Sequence, residues 1–473
     1  MHHNNNAALV KRELLIALIS AMLDDRLESD IDRIPYEMTS APDYEPIRCC
    51  VQHDRQILKT RLLARLGFSV EDYSDDGTPL AVYAKQALER TGVTGPILTV
   101  LDDACNACVK ARYLVTNACQ GCLARPCMMN CPKKAVCVVD GRAVIDTDLC
   151  VSCGICMREC PYHAIIEVPV PCERACPVGA VSKDEQGKER IDYSKCVFCG
   201  SCMRECPFGA MMDKSQIIDV LREKKQGKKI AVLFAPAVAG QFRASLGQLF
   251  SALGEAGFDA VFEVALGADI TAEKEAAEFL ERMEAGEPFM TTSCCPAYVE
   301  TVRKHIPTLA KRVSHTATPM HYTAELAAEE CPGHLRVFIG PCLAKRKEGL
   351  DDPLVDYVLS VEELGALFVA LGIDVSGMED APMQRNASAS GRGFALAGGV
   401  AGAVMAQLPS DSVCTPVLVD GLTSTTIKTL TRWAEGAAEG NLVEVMACTG
   451  GCIAGPSVIA NPKVAAAQLK KGC

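Results

Sequence analysis

Residues 150–161 read CVSCGICMRECP, and residues 196–207 read CVFCGSCMRECP. Each stretch sets four cysteines at the same x2, x2, x3 spacing and follows the last with a proline: Cys150, Cys153, Cys156 and Cys160, then Cys196, Cys199, Cys202 and Cys206. Three thiolates this closely spaced wrap one iron–sulfur cubane, and the fourth reaches a second one. The proline suits the turn that sends the chain away. Two full copies in one chain make chance agreement negligible.

Working outward, a stretched third run is Cys119, Cys122, Cys127 and Cys131 before Pro132, and a half run is Cys172 and Cys176 before Pro177. Cys105 and Cys108 form a pair with no run of their own. Together these make sixteen thiolates, enough for four cubanes, with Cys137 left over. The spacing therefore predicts a ferredoxin-like domain over residues 101–215 that holds three to four accessory 4Fe-4S clusters. Cys105 and Cys108 are expected to complete the half run across space. If one ferredoxin unit is nested in another, the expected outer pair is the 119 and 196 runs and the inner pair the 150 and 172 runs. Zinc also binds Cys-x2-Cys, but three cysteines at two-residue spacing ending in Cys-Pro follow the iron–sulfur pattern. A chain of cubanes moves single electrons between a surface partner and a buried site.

The rest of the chain sets the context. It has 473 residues, 27 cysteines and a net charge of −11. That charge argues against nucleic acid as a partner, because phosphate contacts need clustered Lys and Arg. The start, MHHNNNAALVKRELL, lacks the pattern of a signal peptide, and the apolar stretch Leu14–Leu23 is too short to span a bilayer. Metal ligation in the cytoplasm is thus expected rather than a secreted disulfide framework. Residues 1–100 are cysteine-poor, and Leu14, Leu15, Leu18, Ile19, Met22 and Leu23 recur at helical period, which predicts a helical N-terminal segment. That segment carries the adjacent pair Cys49 and Cys50. After the basic stretch LREKKQGKK, the run IAVLFAPAV reads as a buried strand entering a turn. Strand-like and helical runs then alternate through 228–473. The expected fold class is α+β and α/β: a helical segment, a ferredoxin-like domain and a two-lobed α/β catalytic domain.

That last region holds few cysteines, in unusual settings. TTSCCPAY carries Cys294 and Cys295, IGPCLAKRKE carries Cys342 three residues before Lys345, and EVMACTGGCIAGP carries Cys448 and Cys452. None is a ferredoxin run. Read from the residues alone, Cys295, Cys342, Cys448 and Cys452 offer four thiolates from three loops to one buried cluster, with glycines that permit close backbone approach.

These three loops resemble the signature motifs of the iron-only (FeFe) hydrogenases, in order and in internal spacing. The resemblance covers roughly residues 228–462 plus the ferredoxin-like wire, and looks closest to the clostridial-type group B branch. It implies an H-cluster, a 4Fe-4S cubane joined to a diiron unit with carbonyl, cyanide and azadithiolate ligands. Carried over by position, Cys295, Cys342, Cys448 and Cys452 hold the cubane, with Cys452 bridging to the diiron unit. Cys294 matches the proton-relay cysteine, Lys345 the lysine that pairs with cyanide, and Met446 a methionine lining the diiron pocket. The relay continues through a glutamate, a serine, a glutamate and an arginine, matched here by Glu275, Ser314, Glu278 and Arg282. Glu275 and Glu278 are three apart and share a helix face, as groups that pass protons must. The implied partners are ferredoxin or a similar carrier and the maturation proteins that install the diiron unit.

The chain also departs from the family pattern. Tyr298 stands where tryptophan is usual, Gly340 where methionine is usual, Ala237 where serine is frequent and Ala239 where arginine is common. Three function classes follow. The leading one is a hydrogenase; the others are a slow hydrogen or redox sensor, and a non-catalytic iron–sulfur scaffold without the diiron unit. Retention of Cys294, Lys345, Met446 and the glutamates argues against the scaffold. Cys331, Cys414 and Cys473 match no motif and read as packing residues. His315 and His321 flank the loops, with His321 a candidate extra proton group.

Overall fold

The computed structural model describes residues 5–70, 77–108, 112–382 and 385–472, so Cys473 lies outside the described residues. IAVLF forms the strand Ile230–Phe234, buried along its whole length. A continuous apolar run of this kind suits the interior of a parallel sheet covered on both faces. It does lie inside one: the order is Ala260–Glu263, Ile230–Phe234, Leu335–Gly340, Tyr357–Ser360, with every pairing parallel. A second parallel sheet orders Met290–Thr291, Leu442–Met446 and Pro416–Asp420. These are the two lobes of the α/β region. The twenty-residue helix Ala265–Glu284, which carries the two relay glutamates, packs between elements of both.

The cysteine-rich segment folds as two small units, one inserted into the other. The outer unit is closed by Leu98–Val100 pairing antiparallel with Met211–Asp213, so it begins slightly ahead of the expected boundary at 101. The inner unit is closed by Tyr113–Val115 pairing with Ile165–Glu167. Each adds a hairpin, Val136–Val139 with Arg142–Ile145 in the inner unit and Val181–Lys183 with Glu189–Ile191 in the outer. One unit is thus nested in the other, the case the sequence left conditional, but the pairing of runs differs and is corrected below.

The N-terminal segment is helical, with Asn6–Leu23, Val51–Arg65 and Leu80–Glu89 its longer helices. It is not a detached cap. Leu14, Leu15, Leu18 and Leu62 share one continuous core with Val232, Ile339 and Leu364 of the catalytic region.

A buried ion-pair network ties the three parts together. Asp213, on the closing strand of the outer unit, accepts from Arg65 Nη1 at 2.9 Å and from Arg346 Nη1 at 2.8 Å. Arg346 Nη2 also donates to Glu363 at 2.7 Å. Burial alone would raise the Asp213 carboxyl, but the guanidiniums of Arg65 and Arg346 outweigh it and hold it well below the usual carboxylate range. Asp213→Asn leaves two buried guanidiniums without their shared carboxylate, and we expect a loss of about 3–5 kcal/mol in denaturant unfolding. The folded pKa is depressed, so the stabilisation is complete above the unfolded carboxylate value of about 3.9 and is lost as pH falls through the lower folded value. The wild type should therefore weaken steeply in acid, and the variant's extra loss should shrink there.

Candidate functional site

In open parallel sheets, ligands bind beyond the carboxyl ends of the strands. The loops singled out from sequence all leave such ends. Cys294 and Cys295 follow Met290–Thr291, Cys342 follows Leu335–Gly340, Cys448 follows Leu442–Met446, and Pro236-Ala237 follows Ile230–Phe234. Cys295 and Cys342 are also the N-caps of the helices Pro296–His305 and Leu343–Asp351. Both thiols thereby face first-turn amides, which favour a thiolate. The third loop needs its glycines: Gly450 and Gly451 take φ of 90° and 93°, and a Cβ on Gly451 would stand 2.6 Å from the Ala395 carbonyl oxygen.

These loops line a cavity of about 90 Å³, bounded by Cys294, Cys295, Cys342, Cys448 and Cys452 together with Lys345 and Met446. The remaining walls are mostly small or apolar, among them Ala237, Met320, Phe338 and Phe394. Burial pushes the Cys342 thiol up to about 12 and the Cys448 thiol well above its ordinary value. Neutral thiols are favoured in this pocket unless a metal takes the place of their protons. Lys345 Nζ, the charged group of the lining, donates to Thr318 Oγ1 and to Glu348 Oε1, each at 2.9 Å. It is thus a positioned cation at the cavity wall.

The expected relay residues come together in order. Burial pushes the Cys294 thiol well up, and the Glu275 carboxylate adds to the rise. Glu275 is fully buried; its Oε1 accepts from the Ser293 amide at 2.9 Å, and its Oε2 has no hydrogen-bond partner. Burial pushes this carboxyl up to about 7 against the pull of the Ser293 amide and hydroxyl. The Ser314 hydroxyl stands close enough to Glu275 to moderate that rise, and it donates to Glu278 Oε2 at 2.6 Å. Glu278 then accepts from Arg282 Nη2 at 2.6 Å. Burial raises Glu278, but the Ser314 hydroxyl, the His315 amide and the Arg282 guanidinium outweigh it and hold it below its ordinary value. His315, 81% exposed, lies 3.3 Å from Arg282 Nη2 at the solvent end of the row. His321 instead pairs with Asp352 at 2.9 Å, beside the row rather than in it.

The departures from the family pattern have local explanations. Tyr298 is fully buried and its hydroxyl meets Thr291 Oγ1 at 2.7 Å, which ties the helix after Cys295 to the strand before it. A Cβ at Gly340 would lie 2.7 Å from a ring carbon of Phe338, so the Phe338 ring occupies the space a larger residue would need. Ala237 lines the cavity, while Ala239 packs beside Ile453 and Ala465 outside it. Phe394 and Met320 were not anticipated, because their segments carry no cysteine and no motif.

The accessory thiols gather in four sets. Cys150, Cys153, Cys156 and Cys131 line one small cavity in the inner unit. Cys127 has Cys160 and Cys122 as its charged neighbours, which with Cys119 of the same run completes a second set. In the outer unit Cys202 faces Cys199, Cys196 and Cys176. Cys108 faces Cys105 and Cys206, and Cys172 faces Cys206 and Cys108. Cys105 and Cys108 therefore do join the half run. The expected pairing of the 119 run with the 196 run, and of the 150 run with the 172 run, is overturned. The 119 and 150 runs share the inner unit because Tyr113–Val115 pairs with Ile165–Glu167 around them. Cys199 also lines the large cavity and lies in the field of Cys448, so this set is the one next to the site. Cys137 lies on an exposed hairpin strand, outside all four sets.

An α/β region with thiol loops at its strand ends is joined to a double ferredoxin-like unit. Comparison with known proteins makes this specific: residues 228–456 match the family described as iron only hydrogenase large subunit, C-terminal domain. Residues 143–166 and 189–212 match the 4Fe-4S binding domain. The iron hydrogenase 1 of Clostridium pasteurianum is 27% identical over 301 residues, 50% of this chain and 51% of that protein. The NADP-reducing hydrogenase subunit HndD of Solidesulfovibrio fructosivorans is 28% identical over 291 residues, 48% and 49% of the two chains. The chain thus spans about half the length of the curated relatives it matches. A solved FeFe-hydrogenase variant from Chlamydomonas reinhardtii aligns over 51% of this chain and 84% of its own, at 23% identity and a TM-score of 0.43.

The pairing of thiol sets is open to test by iron counting on single and double variants. Cys122→Ser, Cys160→Ser and the two combined should each lose about four irons, because one cubane uses both thiols. Cys160→Ser combined with Cys176→Ser should lose about eight. A loss of eight from the first double variant would contradict the pairing.

Proposed function

We propose that this protein is a hydrogenase that interconverts two protons, two electrons and H2 at the thiol-lined cavity. The observation that carries the reading is the row Cys294, Glu275, Ser314, Glu278, Arg282, which runs from the cavity to the surface with a hydroxyl between two carboxylates. A structural cluster alone has no use for it. The donor set also fits the implied centre. Four thiols, those of Cys295, Cys342, Cys448 and Cys452, line one cavity. Cys295, Cys342, Cys448 and Cys452 would hold a cubane with its diiron unit and carbonyl, cyanide and azadithiolate ligands, a centre that would supply the hydrogen chemistry.

The remaining tasks fall to side chains. Cys294 keeps its proton at Sγ because burial opposes the thiolate. Glu275, pushed up to about 7, exchanges protons near neutral pH, the condition under which a relay carboxylate works best. Glu278 stays ionised and accepts from Ser314, with Arg282 and His315 at the solvent side. Lys345 offers a fixed positive charge to an anionic ligand in a water-poor pocket. The apolar walls of Phe338, Phe394 and Met446 exclude water from the reacting atoms. Four accessory cubanes, with the Cys199 set nearest, would carry electrons to or from ferredoxin or a similar carrier. We place this activity in the cytoplasm, with maturation proteins installing the diiron unit. Among the described residues no helix is long and apolar enough to cross a membrane.

Hydrogen–deuterium exchange tests the reading without needing an electron partner. Matured protein in D2O under H2 should form HD and D2. Glu275→Gln, which keeps the shape and removes the titrating group, should slow exchange by about 100-fold or more at an unchanged iron count. Exchange at the wild-type rate in that variant would refute the relay. No exchange in fully matured wild type would refute the hydrogenase reading.

A further inference from the structure

Two exposed cysteines belong to none of the thiol sets above. Cys49 and Cys50 are adjacent and exposed, with sulfurs 3.9 Å apart. Cys49 Sγ lies 3.3 Å from His53 Nδ1. Cys50 is the N-cap of the fifteen-residue helix Val51–Arg65, and His53 sits on its first turn. This group rests on the loop that leads into Cys105 and Cys108. His53 Nε2 is 3.2 Å from the Asp103 carbonyl oxygen, and Arg48 donates to the Ala104 carbonyl at 2.6 Å and to Asn106 Oδ1 at 2.9 Å. The same guanidinium stacks over Phe208, 4.9 Å from the ring centre and two residues beyond Cys206. The segment therefore touches the chain beside three of the four thiols of one set.

We propose that Cys49 and Cys50 form a thiol–disulfide exchange site that reduces a disulfide substrate, using electrons from the iron–sulfur wire whose ligand loop it abuts. The two thiols are differentiated for the task. The first-turn amide of His53, with the Cys49 thiol and the Gln52 amide, holds Cys50 below its ordinary value, while the bond to Cys50 raises Cys49. A thiolate at a helix N-terminus is the attacking partner in such exchange. Cys50 Sγ attacks one sulfur of R–S–S–R′, forming a mixed disulfide and releasing R′SH. Cys49 then attacks Cys50 Sγ, closing a Cys49–Cys50 disulfide and releasing RSH, with His53 placed to take the Cys49 proton and pass it to the leaving thiolate. The two thiol protons leave on the products. Two electrons and two protons restore the pair, so the net change is R–S–S–R′ + 2e− + 2H+ giving RSH + R′SH. Oxidation of one H2 yields that number of each, and the inference rests on the hydrogenase reading for this source alone. Adjacent Cα atoms are about 3.8 Å apart across a trans peptide, short of the roughly 4.4–6.8 Å that disulfides favour. A bond between neighbours is strained and easily reduced, so its closure is the uphill step of the cycle, and electrons from the wire draw the cycle forward by returning the pair to the dithiol form.

Two experiments decide the matter. Cys49→Ser, incubated with bis(2-hydroxyethyl) disulfide, should retain one half of the probe on Cys50, a reducible mass adduct that needs no iron. In the cluster-loaded protein, H2 and chemically reduced methyl viologen should each drive thiol release from that probe or from the disulfides of insulin. Which of the two turns over tells whether the natural substrate is a small molecule or an exposed peptide. Cys50→Ser should lower release by about tenfold or more, with viologen-linked hydrogen uptake unchanged. Release with viologen but not with H2 would keep this inference and overturn the hydrogenase reading. Absence of the Cys50 adduct, or no release with either reductant, would overturn the inference.

Discussion

Asp213 accepts hydrogen bonds from two guanidiniums that reach it from distant parts of the chain, and the placement of the site depends on that meeting. Arg65 ends a helix of the N-terminal segment. Arg346 stands four residues after Cys342, on the helix which that ligand begins. Asp213 itself closes the strand that follows the last accessory cysteine, Cys206. One carboxylate thus fixes the helix that begins at Cys342, the outer cysteine-rich unit and the helical segment in a single arrangement. An apolar contact would permit sliding, whereas paired buried charges have one good geometry and a high cost for breaking it. Arg346 is also held by Glu363, so the joint reaches the helix against which Leu14 and Leu18 pack.

Once the two lobes are held, the chemistry of the cavity follows from where loops leave parallel strands. Thiols arrive from both sheets, which is why ligands from distant sequence positions face one space. The same apolar surroundings act in opposite ways on different groups. They keep the Cys294 thiol neutral and lift Glu275 to about 7, while three protein donors hold Glu278, three residues further along the helix, in its charged form. The row thus runs from neutral and dry at Cys294 to ionised and wet at Glu278.

Much of this was legible in the sequence because cysteine spacing is a strong local code. The four-cysteine runs and the three thiol loops stand out in the sequence, and Ser314, Glu278 and Arg282, named from it, are hydrogen-bonded to one another. The pairing of runs was not legible. Each run looks alike, and the choice between partners is made by the strands Tyr113–Val115 and Ile165–Glu167, which enclose the 119 and 150 runs and whose register leaves no mark on the spacing. The Asp213–Arg346 pair is separated by 133 positions and hides for the same reason. Phe394 and Met320 belong to segments with no chemical signature, so only packing reveals them. His315 read as a lone histidine, and its role at the end of the row depends on the backbone turn that delivers its amide to Glu278.

The account claims above all that Cys295, Cys342, Cys448 and Cys452 hold a cubane joined to a diiron unit. Infrared spectroscopy of protein matured anaerobically tests this most directly, because carbonyl and cyanide ligands absorb where polypeptide does not. The account predicts sharp bands in that region that shift when H2 is admitted. A spectrum without such bands, from protein carrying its full iron and matured beside a control hydrogenase that shows them, would contradict it.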